Sequence, residues 1–207
     1  MNTEKAIRQL KELKKRTPKE AYNSMRLAAE EWDSDWKILI ATMMSAQTRD
    51  ETTIPVADSL FMKYDSLDRL SRAEINEIEN MIRRVNFHKT KAKNIVNCAK
   101  MIIKDFGGEV PDSVDELIKL PGVGRKTANV FLCEGGGDNI GVDTHVFYTA
   151  RKLGWAKTKY HDKVEKELEE LFPKKYWGEI NSTLVRFGKS YISRKRKDEI
   201  LDEIKKV

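Results

Sequence analysis

Cysteine and histidine are scarce in this sequence, which has two cysteines and three histidines in 207 residues. Cys98 and Cys133 lie far apart in apolar helical patterns, so buried free thiols are favoured over a disulfide. His88, His145 and His161 are scattered along the chain. These five residues form no recognisable ligand set for zinc or for an iron–sulfur cluster.

Long apolar runs are missing too. No stretch approaches the roughly 18 residues needed to span a bilayer, and the N-terminus has no signal-peptide core. We therefore expect an intracellular, cytoplasmic protein with no membrane partner. The charge is mildly one-sided: 39 Lys+Arg against 33 Asp+Glu gives a net charge of +6. This excess favours a polyanionic partner without establishing one.

Strand patterns are also absent, because no segment alternates apolar and polar residues with a period of two. Apolar residues instead recur at helical spacing, beginning with Ile7, Leu10 and Leu13. The segment 35–45 is apolar on nearly every side, which predicts a central buried helix. The sequence therefore predicts an all-α fold.

The stretch LPGVGRKTANV, residues 120–130, separates two short helical patterns by a tight turn in which Gly122 and Gly124 flank Val123. Glycine suits such a turn because it tolerates positive φ and brings no Cβ between the backbone and a ligand. Amides at a glycine turn that opens a helix point outward beside the positive end of the helix dipole. The turn is therefore a candidate phosphate site.

Two residues near this turn are candidates for chemistry. Lys126 is either a surface lysine that contacts phosphate or a nucleophile. The positive end of the helix disfavours an ammonium there and so favours the neutral amine that nucleophilic attack requires. Asp143 either caps the helix that starts at Thr144 or serves a site, and the two roles can coexist if one carboxylate oxygen stays available.

These segments resemble the endonuclease III family of helix-hairpin-helix DNA glycosylases. The resemblance is carried by the spacing of Leu117, Leu120, Gly122, Gly124, Ala128 and Phe131, and by LIATMMSAQTRD at 39–50, KAKNI at 91–95, GEVPDSVDELIKLPGVGRKTANV at 108–130 and VDTH at 142–145. It implies an all-α, two-domain fold with a DNA cleft between the domains. Residues 29–137 would form a central domain with the hairpin at about 116–132, and 1–28 plus 138–207 would form the second domain.

The resemblance implies that a monomer excises a damaged, oxidised pyrimidine from duplex DNA and cleaves the resulting abasic site. Lys126 would attack C1′, form a Schiff base and allow β-elimination. Asp143 would stabilise positive charge on the sugar and assist proton transfer. Two alternatives stay open: a glycosylase for uracil or thymine mismatches or for oxidised guanine, and a non-catalytic helix-hairpin-helix DNA-binding protein.

The family also implies DNA-binding residues. Gln47 matches a glutamine that fills the gap left by the extruded base, with an ordinary polar residue at a helix end as the alternative. Phe87 stands where relatives carry a leucine wedge, and packing in the core is its alternative. The phosphate contacts would come from the amides of Gly122, Val123, Gly124 and Arg125, with the side chains of Arg125, Lys89, Lys91, Arg49 and Lys189 as candidates around them. For each of these side chains, a solvated surface charge is the alternative. His145 is expected to be structural, and the basic run 194–197 either touches DNA or solubilises the C-terminus.

The chain departs from the family in two places. Relatives usually end in four cysteines, C-x6-C-x2-C-x5-C, that bind a [4Fe-4S] cluster, whereas here Ile192 stands near the first place and no cysteine follows. We therefore expect no cluster, no metal and no other cofactor, and a terminal amphipathic helix with Ile200, Leu201 and Ile204 inward. The glycine-rich loop at 135–138 replaces a proline-containing one.

Overall fold

The computed structural model describes residues 1–135, 137 and 139–207. The secondary structure of these residues is helical and includes no strand, so the all-α prediction is confirmed. The predicted glycine-rich loop includes Gly136 and Asp138, which lie outside the described residues, as does the predicted domain limit at 138. Within the described part of the chain, no helix is long and apolar enough to cross a membrane.

The described residues form the following helices in chain order, with a 3-10 turn before the twelfth. They are α1 (Thr3–Arg16), α2 (Glu20–Asn23), α3 (Asp35–Ser45), α4 (Asp50–Lys63), α5 (Leu67–Ser71), α6 (Ile75–Met81), α7 (His88–Phe106), α8 (Val114–Leu117), α9 (Arg125–Glu134), α10 (Thr144–Leu153), α11 (His161–Leu171), the turn Lys174–Tyr176, α12 (Trp177–Ser190) and α13 (Arg194–Ile204).

The chain divides into two compact units, one of Arg26–Gly135 and one of Met1–Met25 with Gly136–Val207. We call the first the hairpin unit and the second the terminal unit.

The hairpin unit is built around α3. Every residue of α3 from Ile38 to Met44 is buried, as expected for a helix that is apolar on all sides. Helices α4, α7 and α9 pack against it. Its core therefore fixes where the end of α3, the start of α7 and the start of α9 lie.

The terminal unit joins the two ends of the chain, because α1 packs on both α12 and α13. The predicted terminal amphipathic helix is confirmed as α13, which buries Ile200, Leu201 and Ile204. Gln9 of α1 is fully buried between the ends. Its Nε2 donates to the Ile204 and Lys205 carbonyl oxygens at 3.4 and 3.3 Å, and its Oε1 accepts from Trp155 Nε1 at 2.8 Å.

Candidate functional site

The turn between α8 and α9 uses its two glycines for different reasons. Gly122 has φ of 80°, and a Cβ there would lie 2.8 Å from Cβ of Asn94. Both its backbone conformation and its packing therefore require glycine. Gly124 has φ of −92° and ψ of 170°, and a Cβ there would meet nothing within 4 Å. Its positive-φ role, expected from the sequence, is not observed.

Between the glycines, Val123 is buried and anchors the turn, while Gly122 and Gly124 are exposed. The Val123 amide donates to the Leu120 carbonyl oxygen at 3.1 Å. Gly124 is the N-cap of α9, and no side chain caps this terminus. Since the amides in the first turn of a helix have no intrahelical acceptor, the turn presents donors suited to an anion.

Lys126 is exposed in the first turn of α9, next to Arg125, which is exposed as well. The residues that follow, Thr127 and Ala128, are buried against the hairpin unit. This burial fixes the start of the helix, while the two basic side chains are exposed at its first turn. The catalytic role of Lys126 stays a prediction.

Asp143 is the N-cap of α10, as one interpretation of the sequence predicted. Its Oδ1 accepts a hydrogen bond from the Val146 amide at 2.8 Å, and the residue is half-buried. The bond uses one carboxylate oxygen, so capping leaves Oδ2 as a second acceptor. The catalytic role of Asp143 is compatible with this geometry and stays a prediction.

Sequence reasoning did not single out Asn181, which lies on α12. This buried side chain donates from Nδ2 to the Gly141 carbonyl oxygen at 2.5 Å, and so fixes the backbone just before Asp143. Val142 is buried as well. An asparagine within an amphipathic helix carries no local signal of such a contact, since its partner lies 40 positions away.

Gln47 lies in a tight turn just after α3. The Thr48 amide donates to the Ser45 carbonyl oxygen at 2.9 Å, Ala46 has φ of −55° and ψ of 116°, and Gln47 has φ of 57°. These values describe a type II turn with Gln47 at the third position, which glycine or asparagine usually occupies. The side chain of Gln47 is exposed.

Phe87 is the N-cap of α7 and also has a left-handed backbone, with φ of 59° and ψ of 30°. The residue is 63% exposed. Packing in the core, one of the two roles considered for Phe87, is therefore not what the structure shows. Intercalation stays a prediction for this residue.

A group of hydrogen bonds joins the segments that carry Gln47 and Phe87. Asn86 Nδ2 donates to the Gln47 carbonyl oxygen at 2.5 Å, and the Asn86 amide donates to Thr48 Oγ1 at 3.1 Å. Lys91 Nζ lies 2.7 Å from Met44 O, 2.6 Å from Ala46 O and 3.4 Å from Thr48 Oγ1. We call Asn86, Lys91 and Thr48 the loop clamp.

The position of Lys91 corrects one expectation. The sequence suggested that its ammonium contacts phosphate, but the residue is only 9% exposed and its three donors meet three oxygens inside the hairpin unit. Burial lowers the pKa of Lys91 to about 8, which leaves it an ammonium at neutral pH. Lys91 is thus a structural cation at the C-terminal end of α3.

The other basic candidates occupy different surroundings. Arg49 is exposed at the N-cap of α4, and Lys89 is exposed in the first turn of α7. Lys189 is half-buried on α12, in the terminal unit. In the basic run 194–197, Lys197 Nζ donates to the Gly188 carbonyl oxygen at 2.9 Å, and burial lowers its pKa. At least one cation of that run is engaged within the protein.

The sequence has two cysteines, Cys98 and Cys133. A [4Fe-4S] cluster needs four ligands, usually thiolates, and burial raises the pKa of Cys98 to about 12 and that of Cys133 to about 11. Among the described residues, no group of three or more His, Cys, Asp and Glu side chains is placed to hold a metal ion. The residues present therefore do not fit such a cluster.

Known proteins are similar to this chain over most of its length. The family model described as HhH-GPD superfamily base excision DNA repair protein matches residues 40–174. Endonuclease III of Thermotoga maritima is 39% identical over 155 residues, which are 74% of this chain and 73% of that protein. Endonuclease III of Bacillus subtilis is 40% identical over 156 residues, 74% of this chain and 71% of that protein.

A solved structure gives the same result for the fold. The trapped endonuclease III–DNA covalent intermediate in an estranged-adenine complex aligns with a TM-score of 0.83 at 32% identity, covering 93% of this chain and 89% of that one. The region matched by the family model contains the hairpin, Lys126 and Asp143.

Proposed function

Because the chain belongs to the HhH-GPD superfamily of base excision DNA repair proteins, we propose that it is a DNA glycosylase with abasic-site lyase activity. The observation that carries the proposal is the start of α9, where an exposed lysine stands in the first turn of an uncapped helix terminus behind a Gly-Val-Gly turn. The turn supplies donors for the DNA backbone, and the lysine supplies a nucleophile.

Lys126 provides the covalent step in this proposal. Its neutral amine attacks C1′ of the damaged nucleotide, and the glycosidic bond breaks with its electron pair on the base nitrogen, which takes up a proton. The C1′–O4′ bond then breaks with its electron pair on O4′, which takes up a proton, and a Schiff base forms between Lys126 and C1′. Loss of a proton from C2′ then expels the 3′ phosphate with the electrons of the C3′–O bond.

Asp143 provides the negative charge that this step needs. Positive charge develops on the sugar while the glycosidic bond breaks, and a preorganised carboxylate stabilises it. The carboxylate also takes up the proton that the Lys126 amine releases. The helix cap supports this role because the bond from the Val146 amide fixes the orientation of the carboxyl group.

The damaged base must leave the stack, which costs a few kcal/mol, and the gap must be filled. Gln47 and Phe87 suit this task in the proposal, because both side chains are exposed on backbone that is held in one conformation. Arg49, Lys89, Arg125 and Lys189 are proposed to contact phosphates, where each neutralised phosphate adds salt-dependent affinity.

The proposed substrate is duplex DNA with an oxidised pyrimidine or an abasic site, and the proposed form is a monomer that works inside the cell. We further propose that the two domains follow the predicted limits, 29–137 and 1–28 plus 138–207. The name endonuclease III, shared by the relatives that match over about three quarters of this chain, supports this choice. The enzyme is proposed to work without an iron–sulfur cluster.

Borohydride trapping on an abasic-site duplex tests the mechanism. The wild-type chain is expected to become covalently linked to the DNA, and Lys126→Gln is expected not to. Lys104→Gln is the matched control, since Lys104 is an exposed lysine on α7 of the same unit. A wild type that does not trap, or a Lys126→Gln variant that traps like the control, contradicts the proposal.

Asp143→Asn separates catalysis from capping. Asparagine caps a helix about as well as aspartate, so thermal stability should stay near the wild-type value. Excision should nevertheless slow by roughly 10²- to 10⁴-fold, the usual contribution of acid–base groups. Equal excision by the variant and the wild type would assign Asp143 to the cap alone.

A panel of single-lesion duplexes tests the substrate. An oxidised pyrimidine is expected to be excised faster than uracil, a G·T mismatch or oxidised guanine. A clear preference for any of these three would replace the proposed specificity.

Iron analysis of the purified protein tests the proposed absence of a cluster. Stoichiometric iron with absorbance in the visible iron–sulfur band would contradict that proposal.

A further inference from the structure

We propose that Lys91, together with Asn86, is a positioning residue that sets Gln47 and Phe87 in the orientation required to enter the DNA stack when a base is extruded. This inference rests on the proposed function. In this inference the loop clamp serves DNA binding as well as the stability of the fold.

The first support is the backbone of the two exposed residues. Gln47 and Phe87 both adopt positive φ, at 57° and 59°, although neither is glycine, asparagine or aspartate. A left-handed conformation costs such a residue roughly 1–2 kcal/mol, and it persists only where the surroundings enforce it. Something in the hairpin unit must therefore enforce it at both residues.

The second support is the way in which Gln47 is held from both sides. Lys91 Nζ binds the carbonyl oxygen of Ala46, which belongs to the peptide group before Gln47. Asn86 Nδ2 binds the carbonyl oxygen of Gln47, which belongs to the peptide group after it. Fixing both peptide groups restricts φ and ψ of Gln47 together, and so fixes the direction in which its side chain leaves the backbone.

The third support is that the same bonds reach Phe87. Asn86 directly precedes Phe87, and its amide donates to Thr48 Oγ1 at 3.1 Å. Lys91 lies in the first turn of α7, the helix that Phe87 caps. Its ammonium lies 3.4 Å from the same Thr48 Oγ1. The two exposed side chains are therefore set relative to each other by one hydrogen-bonded cluster.

The chemistry of Lys91 suits this task. Its ammonium has three donors and meets three oxygens. Two of the oxygens are carbonyls at the C-terminal end of α3, where a cation also interacts favourably with the helix dipole. The loop clamp thus orders the segments that carry Gln47 and Phe87 when the protein folds. DNA binding then does not bear the entropic cost of ordering them.

The test uses the full chain, four single variants and one double variant. The single variants are Lys91→Met, Asn86→Ala, Gln47→Ala and the control Lys100→Met, and the double variant combines Gln47→Ala with Lys91→Met. Lys100 is an exposed lysine on the same helix as Lys91. Asn86 is exposed, so Asn86→Ala keeps the test valid if Lys91→Met folds poorly. Single-turnover excision is measured on a duplex with a damaged base and compared with cleavage of a duplex with a preformed abasic site.

We expect Lys91→Met and Asn86→Ala to slow excision of the damaged base by at least about tenfold, as misplaced groups commonly do. Cleavage at the preformed abasic site should fall less, and Lys100→Met should match the wild type on both. The decisive result is the coupling with Gln47: Lys91→Met should cause a smaller loss in the Gln47→Ala background than in the wild type, because one of the two side chains that Lys91 positions is already gone.

Additive losses in that double variant, equal losses on both substrates, or wild-type excision by both clamp variants would overturn the inference. Failure of the proposed function looks different, because the wild type itself would then neither excise nor trap on abasic DNA.

Discussion

The imidazole of His145 occupies the space that a side chain at Gly188 would need. An ideal Cβ at position 188 would lie 2.2 Å from His145 Nδ1 and 2.7 Å from Cγ. Gly188 is on α12 and His145 is on α10, which follows Asp143 directly. The absence of a Cβ at 188 therefore sets how closely the helix capped by Asp143 approaches α12, and it supports the structural role expected for His145.

Gly188→Ala should destabilise the protein. The added methyl cannot fit without moving the His145 ring or separating the two helices, and overpacking of this kind costs about 1–3 kcal/mol. Chemical denaturation measures the loss. Gly178→Ala on the same helix is the matched control, because a Cβ there meets nothing within 4 Å. Equal stability of the two variants would contradict this account.

Gln9→Leu should destabilise the terminal unit more than loss of a surface ion pair between the same helices. The substitution leaves Trp155 Nε1 and two carbonyl oxygens at the end of α13 without their partner. An unsatisfied buried group costs about 1–3 kcal/mol. Glu203→Ala, which removes the exposed ion pair with Arg16, should cost less, because solvent screens an exposed pair. A larger effect of Glu203→Ala in thermal unfolding would reverse the ranking.

Gln47→Gly should raise stability while it impairs excision. Glycine adopts positive φ without the steric penalty, and the gain is up to about 1 kcal/mol after its larger unfolded-state entropy is counted. Glu31, with φ of 64°, offers the control. Glu31→Gly should give a similar change in stability with unchanged excision. If Gln47→Gly also excises like the wild type, Gln47 does not fill the gap in the DNA.

The stability contributed by Lys91 should depend on pH in one direction. Burial lowers the pKa of Lys91 from 10.5 to about 8, so between these values the unfolded chain binds more protons than the folded chain. The free energy of unfolding must then rise with pH across this window. Below pH 8 the cost of burying the charge is fully present.

The measurement compares the wild type with Lys91→Met, which has no group to titrate at this position. The difference in unfolding free energy, wild type minus variant, should increase from pH 8 to pH 10.5, while other alkaline effects are common to both proteins and cancel. A flat difference would show that Lys91 titrates at its ordinary value, and a falling difference would show that folding raises its pKa; either result contradicts the prediction.

Local features were predictable from the sequence. The helix cap of Asp143 involves residues three positions apart, and the hairpin turn is signalled by Gly122 and Gly124 next to helical apolar spacing. Such features depend on neighbours in the chain, so residue order alone carries the information. The burial of Leu117, Leu120 and Ala128 follows from the same periodicity.

The direction of individual polar side chains was not predictable in this way. Lys91 reads as one more basic residue in a charged segment, yet it turns inward because its acceptors, 43 to 47 positions earlier in the chain, lie at the end of α3. The sequence is equally compatible with Phe87 in the core and with Phe87 as a wedge that enters the DNA. Its exposure follows from its place as the left-handed N-cap of α7.

The sequence by itself determined the all-α fold, the hairpin with its uncapped helix, and the residue types available for chemistry, because these depend on spacing along one helix or across one turn. Only the tertiary structure decided that Gln47 and Phe87 are left-handed and exposed, that Lys91 binds carbonyl oxygens, and that Gln9 joins the two chain ends. These features arise where hydrogen-bond partners that are distant in sequence come together. There the contacts with the partner, and not local propensity, determine the backbone and side-chain conformations.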